Sequence, residues 1–206
     1  MRLIPLLLLV LSTAALAAPR GAYLEIIPTF WAELYPDGGQ DLYCGASFAR
    51  YDRKVNIEHV FPMAWVAKAL HCGQRQQCRD SSPRFNRIES DMHNLYPALR
   101  QWNQARGAMA YGEIPGEHWV APGCDLEIDE QHRRVEPRPA VRGNIARAMF
   151  YMESSYGLEL YPRQRALLLQ WNREDPPDEQ ERRRNDRIEQ LQGRRNPFID
   201  HPESVH

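Results

Sequence analysis

The chain has 206 residues, with 26 Lys or Arg against 27 Asp or Glu and a formal net charge of −1. That length supports one ordinary domain with its own hydrophobic core. The near-neutral balance excludes a general electrostatic pull toward nucleic acid or an anionic membrane, so any anion site must be local.

Arg2, the apolar run over 3–16 and the Ala15-Leu16-Ala17 pattern read as a cleaved secretory signal over 1–17. Its removal leaves an exported domain over 18–206 with 25 basic and 27 acidic residues, a net charge of −2. An apolar run of that length is shorter than the ~20 residues of a membrane span, and no later stretch qualifies. The mature protein is expected to be a periplasmic or secreted monomer with no membrane attachment.

Only Lys54 and Lys68 are lysines; every other basic residue is arginine. The planar guanidinium fork suits phosphate oxygens, although a coding bias gives the same excess. Four cysteines remain after export, and an even number in an exported chain implies two bridges. Three pairings are open. The short polar spacing favours Cys72 with Cys78, which leaves Cys44 with Cys124.

In chain order, Ile26, Phe30, Trp31, Leu34 and Tyr35 recur at helical spacing and predict a helix over 26–35, stopped by Pro36-Asp37-Gly38-Gly39. Short strands are predicted over 42–44 and 56–61, the second rich in β-branched and aromatic residues. Met63, Trp65, Val66, Ala69 and Leu70 predict a helix over 63–71, followed by an exposed polar loop over 72–85. Leu95, Leu99, Trp102 and Ala105 predict a helix to Gly107, with Asn94 as its N-cap and Pro97 in its first turn. The Gly- and Pro-rich span 112–139 reads as loops with a short strand over 126–128. Further helices are predicted over 141–151, 162–172 and 179–192, the last ended by Gly193.

Two stretches concentrate chemistry. Asn56-Ile57-Glu58-His59-Val60-Phe61-Pro62 and Asp91-Met92-His93-Asn94-Leu95-Tyr96-Pro97 each place acid, imidazole and amide groups on a buried element that runs into proline. Glu58 and Asn94 oxygens, with water in the remaining positions, suit Mg²⁺, a hard cation that keeps several waters. His59 is then free to act as a base near neutrality. The sequence contains no H-E-x-x-H, no G-x-S-x-G and no glycine-rich G-K-[ST] loop, which argues against zincin, hydrolase-elbow and P-loop chemistry.

These residues, with Trp65, Glu89, Asn103, Arg106, the block Arg142-Gly143-Asn144-Ile145-Ala146-Arg147 and Asn196-Pro197-Phe198, resemble the endonuclease I family of periplasmic and secreted nucleases. The resemblance implies an α+β, mainly helical single domain containing a ββα-metal (His-Me finger) motif. It also implies non-sequence-specific cleavage of DNA, and of RNA in some members, with one Mg²⁺ for which Mn²⁺ or Ca²⁺ can substitute. Carried over by position, Glu58 and Asn94 are the metal ligands, His59 the general base and His93 structural. The arginine that steadies the scissile phosphate is Arg75, with Arg79 as rival. Arg142 and Arg147 are candidates for a phosphate-contacting surface. Products would carry 5′-phosphate and 3′-hydroxyl ends. Two departures stand out: Ala46 where family members have a second cysteine, and Ala108 where an Asn is usual. The contrasting expectation is a disulfide-braced binding module that has kept the fold and lost catalysis.

Overall fold

The computed structural model describes residues 22–50 and 52–205; the leader predicted over 1–17 lies outside them. The first helix, α1 (Ala22–Thr29), runs into a π turn over Phe30–Leu34, which buries Phe30 and Trp31. The helical spacing over 26–35 is thus realised as two helical forms in series. Two-residue strands β1 (Gly39–Gln40) and β2 (Ser47–Phe48) then pair antiparallel.

The residues between them, 42–44, are not the predicted strand. The buried Asp41 carboxylate accepts the backbone N–H groups of Tyr43 (3.2 Å), Cys44 (3.2 Å) and Ala46 (2.8 Å), organising a turn in place of a ladder.

At the centre, β3 (Val55–His59) pairs antiparallel with β4 (Leu95–Leu99), with Glu58 opposite Tyr96 and His59 opposite Leu95. Helix α5 (Arg100–Arg106) follows β4 without a loop, completing a strand–strand–helix unit. The helix predicted from Asn94 therefore begins later. Leu95 and Ala98 are fully buried, and pairing with β3 overrides the helical spacing of Leu95 and Leu99. Pro97 has no N–H to contribute, but its carbonyl accepts Leu42 N–H at 2.8 Å.

Between these strands lie α2 (Met63–Ala69), α3 (Arg75–Ser81) and α4 (Pro83–Glu89). The last two replace the predicted exposed loop. Gln74 and Gln77 form a capping box at the start of α3, while Ser82 Oγ accepts Phe85 N–H at 3.2 Å ahead of a first-turn Pro83. Cys78, Phe85 and Ile88 supply the fully buried face.

A small sheet of order β5-β7-β6 joins β5 (Ala110–Tyr111), β6 (Glu127–Asp129) and β7 (Arg134–Glu136). Helices α6 (Arg142–Tyr156), α7 (Pro162–Glu174), α8 (Glu179–Gln192) and α9 (Pro197–Asp200) close the domain. Helix α8 has the predicted bounds: Asp178 caps its start and Gly193, at φ +72°, its end. Disulfides join Cys44 to Cys124 and Cys72 to Cys78. The architecture is α+β and mainly helical. Among the described residues no helix is long and apolar enough to cross a membrane.

Helix α6 is buried around most of its circumference, from Gly143 through Met152. It passes so close to the end of α7 that a Cβ on Gly143 would lie 1.8 Å from Asp175 O. Arg147 therefore has no solvent face and cannot belong to a phosphate-contacting surface. It forms a two-pronged ion pair with Glu181, Nε to Oε1 at 2.9 Å and Nη2 to Oε2, and Nη1 donates to Asn172 Oδ1 (3.2 Å) and Asp175 O (2.8 Å). Arg142 is also engaged, pairing with Glu136 (2.6 Å) and lying 5.4 Å from the Trp171 ring centre. Removing one member of a buried pair strands the other charge at a cost of about 3–5 kcal/mol. Arg147→Met is expected to lower unfolding free energy by that amount, while activity per folded molecule stays at wild-type level. Denaturant titration and activity below the melting temperature check both expectations.

Candidate active site

The antiparallel pairing of β3 with β4 brings Glu58 and His59 to the end of a strand, where the chain turns at Pro62. Alternation would send the two side chains to opposite faces within a regular strand. At the strand end, both line one cavity of about 750 Å³, together with Tyr23, Lys68, Arg75, Arg79, Arg100 and Asn103.

Glu58 is only 2% exposed. Burial raises its carboxyl above the ordinary value; the neighbouring Arg106 charge and the Tyr43 hydroxyl work in the opposite direction. Both side-chain donors meet the same oxygen: Tyr43 OH at 2.6 Å and Arg106 Nη1 at 2.7 Å, each to Oε1. Among the described residues Oε2 has no side-chain partner, and the His59 backbone N–H also acts on the carboxylate. Arg106 also donates to the carbonyls of His59 (3.0 Å) and Val60 (2.8 Å), so one guanidinium straps the acid and the end of β3 to α5.

His59 Nε2 lies 2.9 Å from Glu89 O. A carbonyl only accepts, so Nε2 carries the proton and donates it, and the lone pair of the neutral ring resides on Nδ1. Burial, reinforced by the Arg75 charge, lowers the His59 pKa to about 3, so the ring is neutral at physiological pH. The Tyr23 ring from α1 covers it, with centroids 5.0 Å apart.

The same Tyr23 ring lies 5.5 Å from the guanidinium carbons of both Arg75 and Arg79. These arginines, presented by α3, converge on the buried Glu89 carboxylate, but not equally. Arg79 is 21% exposed and spends Nε and Nη2 on it in three hydrogen bonds, whereas Arg75 is 46% exposed and gives only Nε, at 2.6 Å. Arg75 thus differs from Arg79 in having two Nη groups with no hydrogen-bond partner among the described residues. Its position is fixed by the capping box of α3 and by the Cys72–Cys78 bridge that ties α3 to the end of α2.

Asn94 does not join this group. It is fully buried and outside the cavity, and both ends of its amide are consumed by one residue: Oδ1 accepts Phe61 N–H (2.6 Å) and Nδ2 donates to Phe61 O (3.1 Å). The side chain thus continues the β3–β4 pairing beyond its last backbone rung and is not among the residues lining the cavity. Asn94 ends a 3-10 turn (Met92–Asn94) and caps no helix. His93 is buried beside it, with Nε2 at 3.0 Å from Arg194 O and its ring against Tyr151. Neither function leads to the cavity.

Asn103, on α5, does line the cavity, as do Asn56 and Gln74. The Nδ2 of Asn103 donates to Asn56 Oδ1 (2.9 Å) and Ile57 O (3.1 Å), which aims the group and leaves Oδ1 without a hydrogen-bond partner among the described residues. Glu58 Oε2 and Asn103 Oδ1 are hard oxygen donors with coordination capacity to spare, so the residues fit a Mg²⁺- or Ca²⁺-class ion. The signal in the sequence was positional: Arg100 and Asn103, three apart, share one face of α5, and both line the cavity. Lys68 and Arg100, with Arg75, supply the cationic lining expected of Arg142 and Arg147.

Burial would raise the Glu89 carboxyl, but hydrogen bonds from Arg79 and Arg75 outweigh it and hold its pKa below the ordinary 4.5. A carboxylate depressed in the folded state contributes stability above its unfolded pKa and loses it as pH falls. Unfolding free energy is therefore expected to drop below pH 4.5 more steeply in the wild type than in Glu89→Gln. Parallel slopes in denaturant titrations at stepped pH would contradict this.

A sequence model of endonuclease I matches residues 32–203. An extracellular deoxyribonuclease of Aeromonas hydrophila is 38% identical over 172 residues, covering 82% of this chain and 74% of its own. A periplasmic deoxyribonuclease of the same organism is 37% identical, covering 82% of this chain and 72% of its own. An extracellular ribonuclease of Bacillus subtilis (strain 168) is 41% identical over 132 residues, covering 55% of this chain and 44% of its own.

Proposed function

Because the chain belongs to the endonuclease I family, we propose that it is an exported, cation-dependent endonuclease that hydrolyses phosphodiester bonds of DNA without sequence preference. One observation carries the reading: four residues around one cavity each keep a polar function unspent. They are Glu58 Oε2, Asn103 Oδ1, His59 Nδ1 and the Nη pair of Arg75. A binding module that had lost catalysis would have no use for an imidazole locked in the base-competent tautomer.

In this reading His59 Nδ1 takes a proton from water, and the resulting hydroxide attacks phosphorus in line with the departing 3′ oxygen. The products carry 5′-phosphate and 3′-hydroxyl ends. The ring starts neutral because burial opposes its charge, and the negative charge of an incoming phosphate raises its affinity for the proton. The free fork of Arg75 pairs with non-bridging oxygens, and Lys68 and Arg100 meet neighbouring phosphates along the strand. Glu58 and Asn103 would hold the cation, Mg²⁺ in the first instance, which neutralises charge growing on the scissile phosphate and leaving oxygen. Arg106 and Tyr43 orient the Glu58 carboxylate and oppose the effect of burial on its charge. Contacts of this kind go to the backbone and read no bases. RNA is a second substrate on the same chemistry, a reading supported by the similarity to an enzyme named extracellular ribonuclease.

Nicking of supercoiled plasmid tests the proposal. Activity should require a divalent cation and vanish with EDTA. A positioned general base contributes about 10²- to 10⁴-fold, so His59→Ala should lose that much and remain folded. Asn103→Ala should shift the Mg²⁺ requirement upward, whereas Asn94→Ala should lower the melting temperature and leave the Mg²⁺ midpoint in place. A His59→Ala protein at wild-type rate would overturn the assignment of the base.

A further inference from the structure

Among the described residues, Glu117, Asp125 and Glu127 form a group of carboxylates away from the cavity, with one oxygen from each within 4.8 Å of the others. Exposed acidic groups often cluster without consequence, but Glu127 is not exposed. It is 3% accessible, and its Oε2 is buried with no hydrogen-bond partner. A buried carboxylate oxygen left unpaired is costly, and native proteins retain such groups where something else satisfies them.

The nearby charges do not supply that compensation. Glu136 stands directly opposite Glu127 in the β6–β7 register, and its oxygens are already occupied, Oε1 by Arg142 Nη2 (2.6 Å) and Oε2 by Ile114 N–H. Arg142 therefore neutralises Glu136 and leaves Glu127 facing a second acid. None of the three clustered carboxylates forms a salt bridge to a described basic side chain; Glu117 Oε2 accepts the Trp119 indole N–H at 3.0 Å. Burial pushes the Glu127 carboxyl up, and Glu136 and Glu117 act in the same direction against the backbone amide of His118.

We propose that Glu117, Asp125 and Glu127 form a second divalent-cation site, structural in role and selective for Ca²⁺ over Mg²⁺. Ca²⁺ holds oxygens at ~2.3–2.6 Å in a flexible shell rich in carboxylates, and three carboxylate oxygens within 4.8 Å of one another are compatible with one such ion. Mg²⁺ keeps several of its waters and resists replacing them with three carboxylates. Bound there, the ion would tie the segment over 112–125, whose described pairing includes the Ala121–Cys124 bridge, to β6. The consequence reaches the active site by covalent steps. Asp125 follows Cys124, Cys124 is bonded to Cys44, and Cys44 follows Tyr43, whose hydroxyl holds Glu58.

Calcium titrations followed by calorimetry and thermal melting, on wild type, Asn103→Ala and the double variant Glu117→Gln/Asp125→Asn, separate this site from the catalytic one. The double variant alters a surface segment and is expected to fold. Ca²⁺ should raise the melting temperature of wild type and of Asn103→Ala with a midpoint on the order of 10⁻⁴ to 10⁻³ M, as in extracellular modules, and calorimetry should count one fewer Ca²⁺ in the double variant, which keeps only the response of the catalytic cavity. Mg²⁺ at the same concentrations should give a smaller shift in Asn103→Ala. Glu127→Gln, which removes the buried charge, should melt higher than wild type without Ca²⁺ and bind one fewer Ca²⁺ ion. A double variant that binds as many Ca²⁺ ions as wild type, or a wild type indifferent to Ca²⁺, would overturn the proposal.

Discussion

The burial of the Glu58 carboxylate is the constraint on which the rest of the site depends. A carboxylate withdrawn from water costs several kcal/mol, roughly, unless charge and hydrogen bonds replace the lost solvent. Here the replacement comes from Arg106 and Tyr43, both on Oε1. Arg106 lies on α5, so neutralising the acid also fixes the helix against the end of β3, and its face lies 4.7 Å from the Tyr111 ring centre. The geometry of the finger and the ionisation of its acid are therefore one problem with one solution.

Around that pair, a second set of interactions aims the other groups that line the cavity. Glu89 serves twice: its carbonyl selects the His59 tautomer, and its carboxylate gathers Arg75 and Arg79. The unequal sharing gives the two arginines different work, Arg79 as a strut and Arg75 as the fork with free donors. Tyr23 covers His59 and both guanidiniums from α1, and the Cys72–Cys78 bridge anchors α3 from the other side. Positioning by rigid elements suits catalysis, since small displacements of reacting groups lose much of the advantage of proximity.

The legible parts of the sequence were those where local chemistry and tertiary packing agree. Helix α8 has Asp178 before it and Gly193 after it, and its bounds follow from those two residues. Both disulfide partners followed from spacing, and Glu58-His59 stood out because a charged pair sat inside an apolar run. The failures share a cause in long-range pairing. Leu95 and Leu99 carry helical spacing, but β3 claims them as a strand. Asn94 looked like a helix cap with an oxygen to offer; only the fold reveals Phe61 beside it, consuming both ends of the amide. Arg147 sits in a helix whose sequence is polar enough to suggest a solvent face, yet Glu181, 34 residues away, compensates its burial. Asn103 and Arg106 belonged to the recognised pattern, but their separate tasks, free oxygen and strap, depend on which partners the fold delivers.

Anomalous diffraction from crystals soaked in Mn²⁺, with the His59→Ala protein to prevent turnover, examines the assignment of cation ligands without recourse to rates. The account predicts a peak in the cavity bonded to the Glu58 carboxylate and to Asn103 Oδ1, with Asn94 still hydrogen-bonded to Phe61. A cation held by Asn94, or one bound in the cavity without either Glu58 or Asn103, would contradict it.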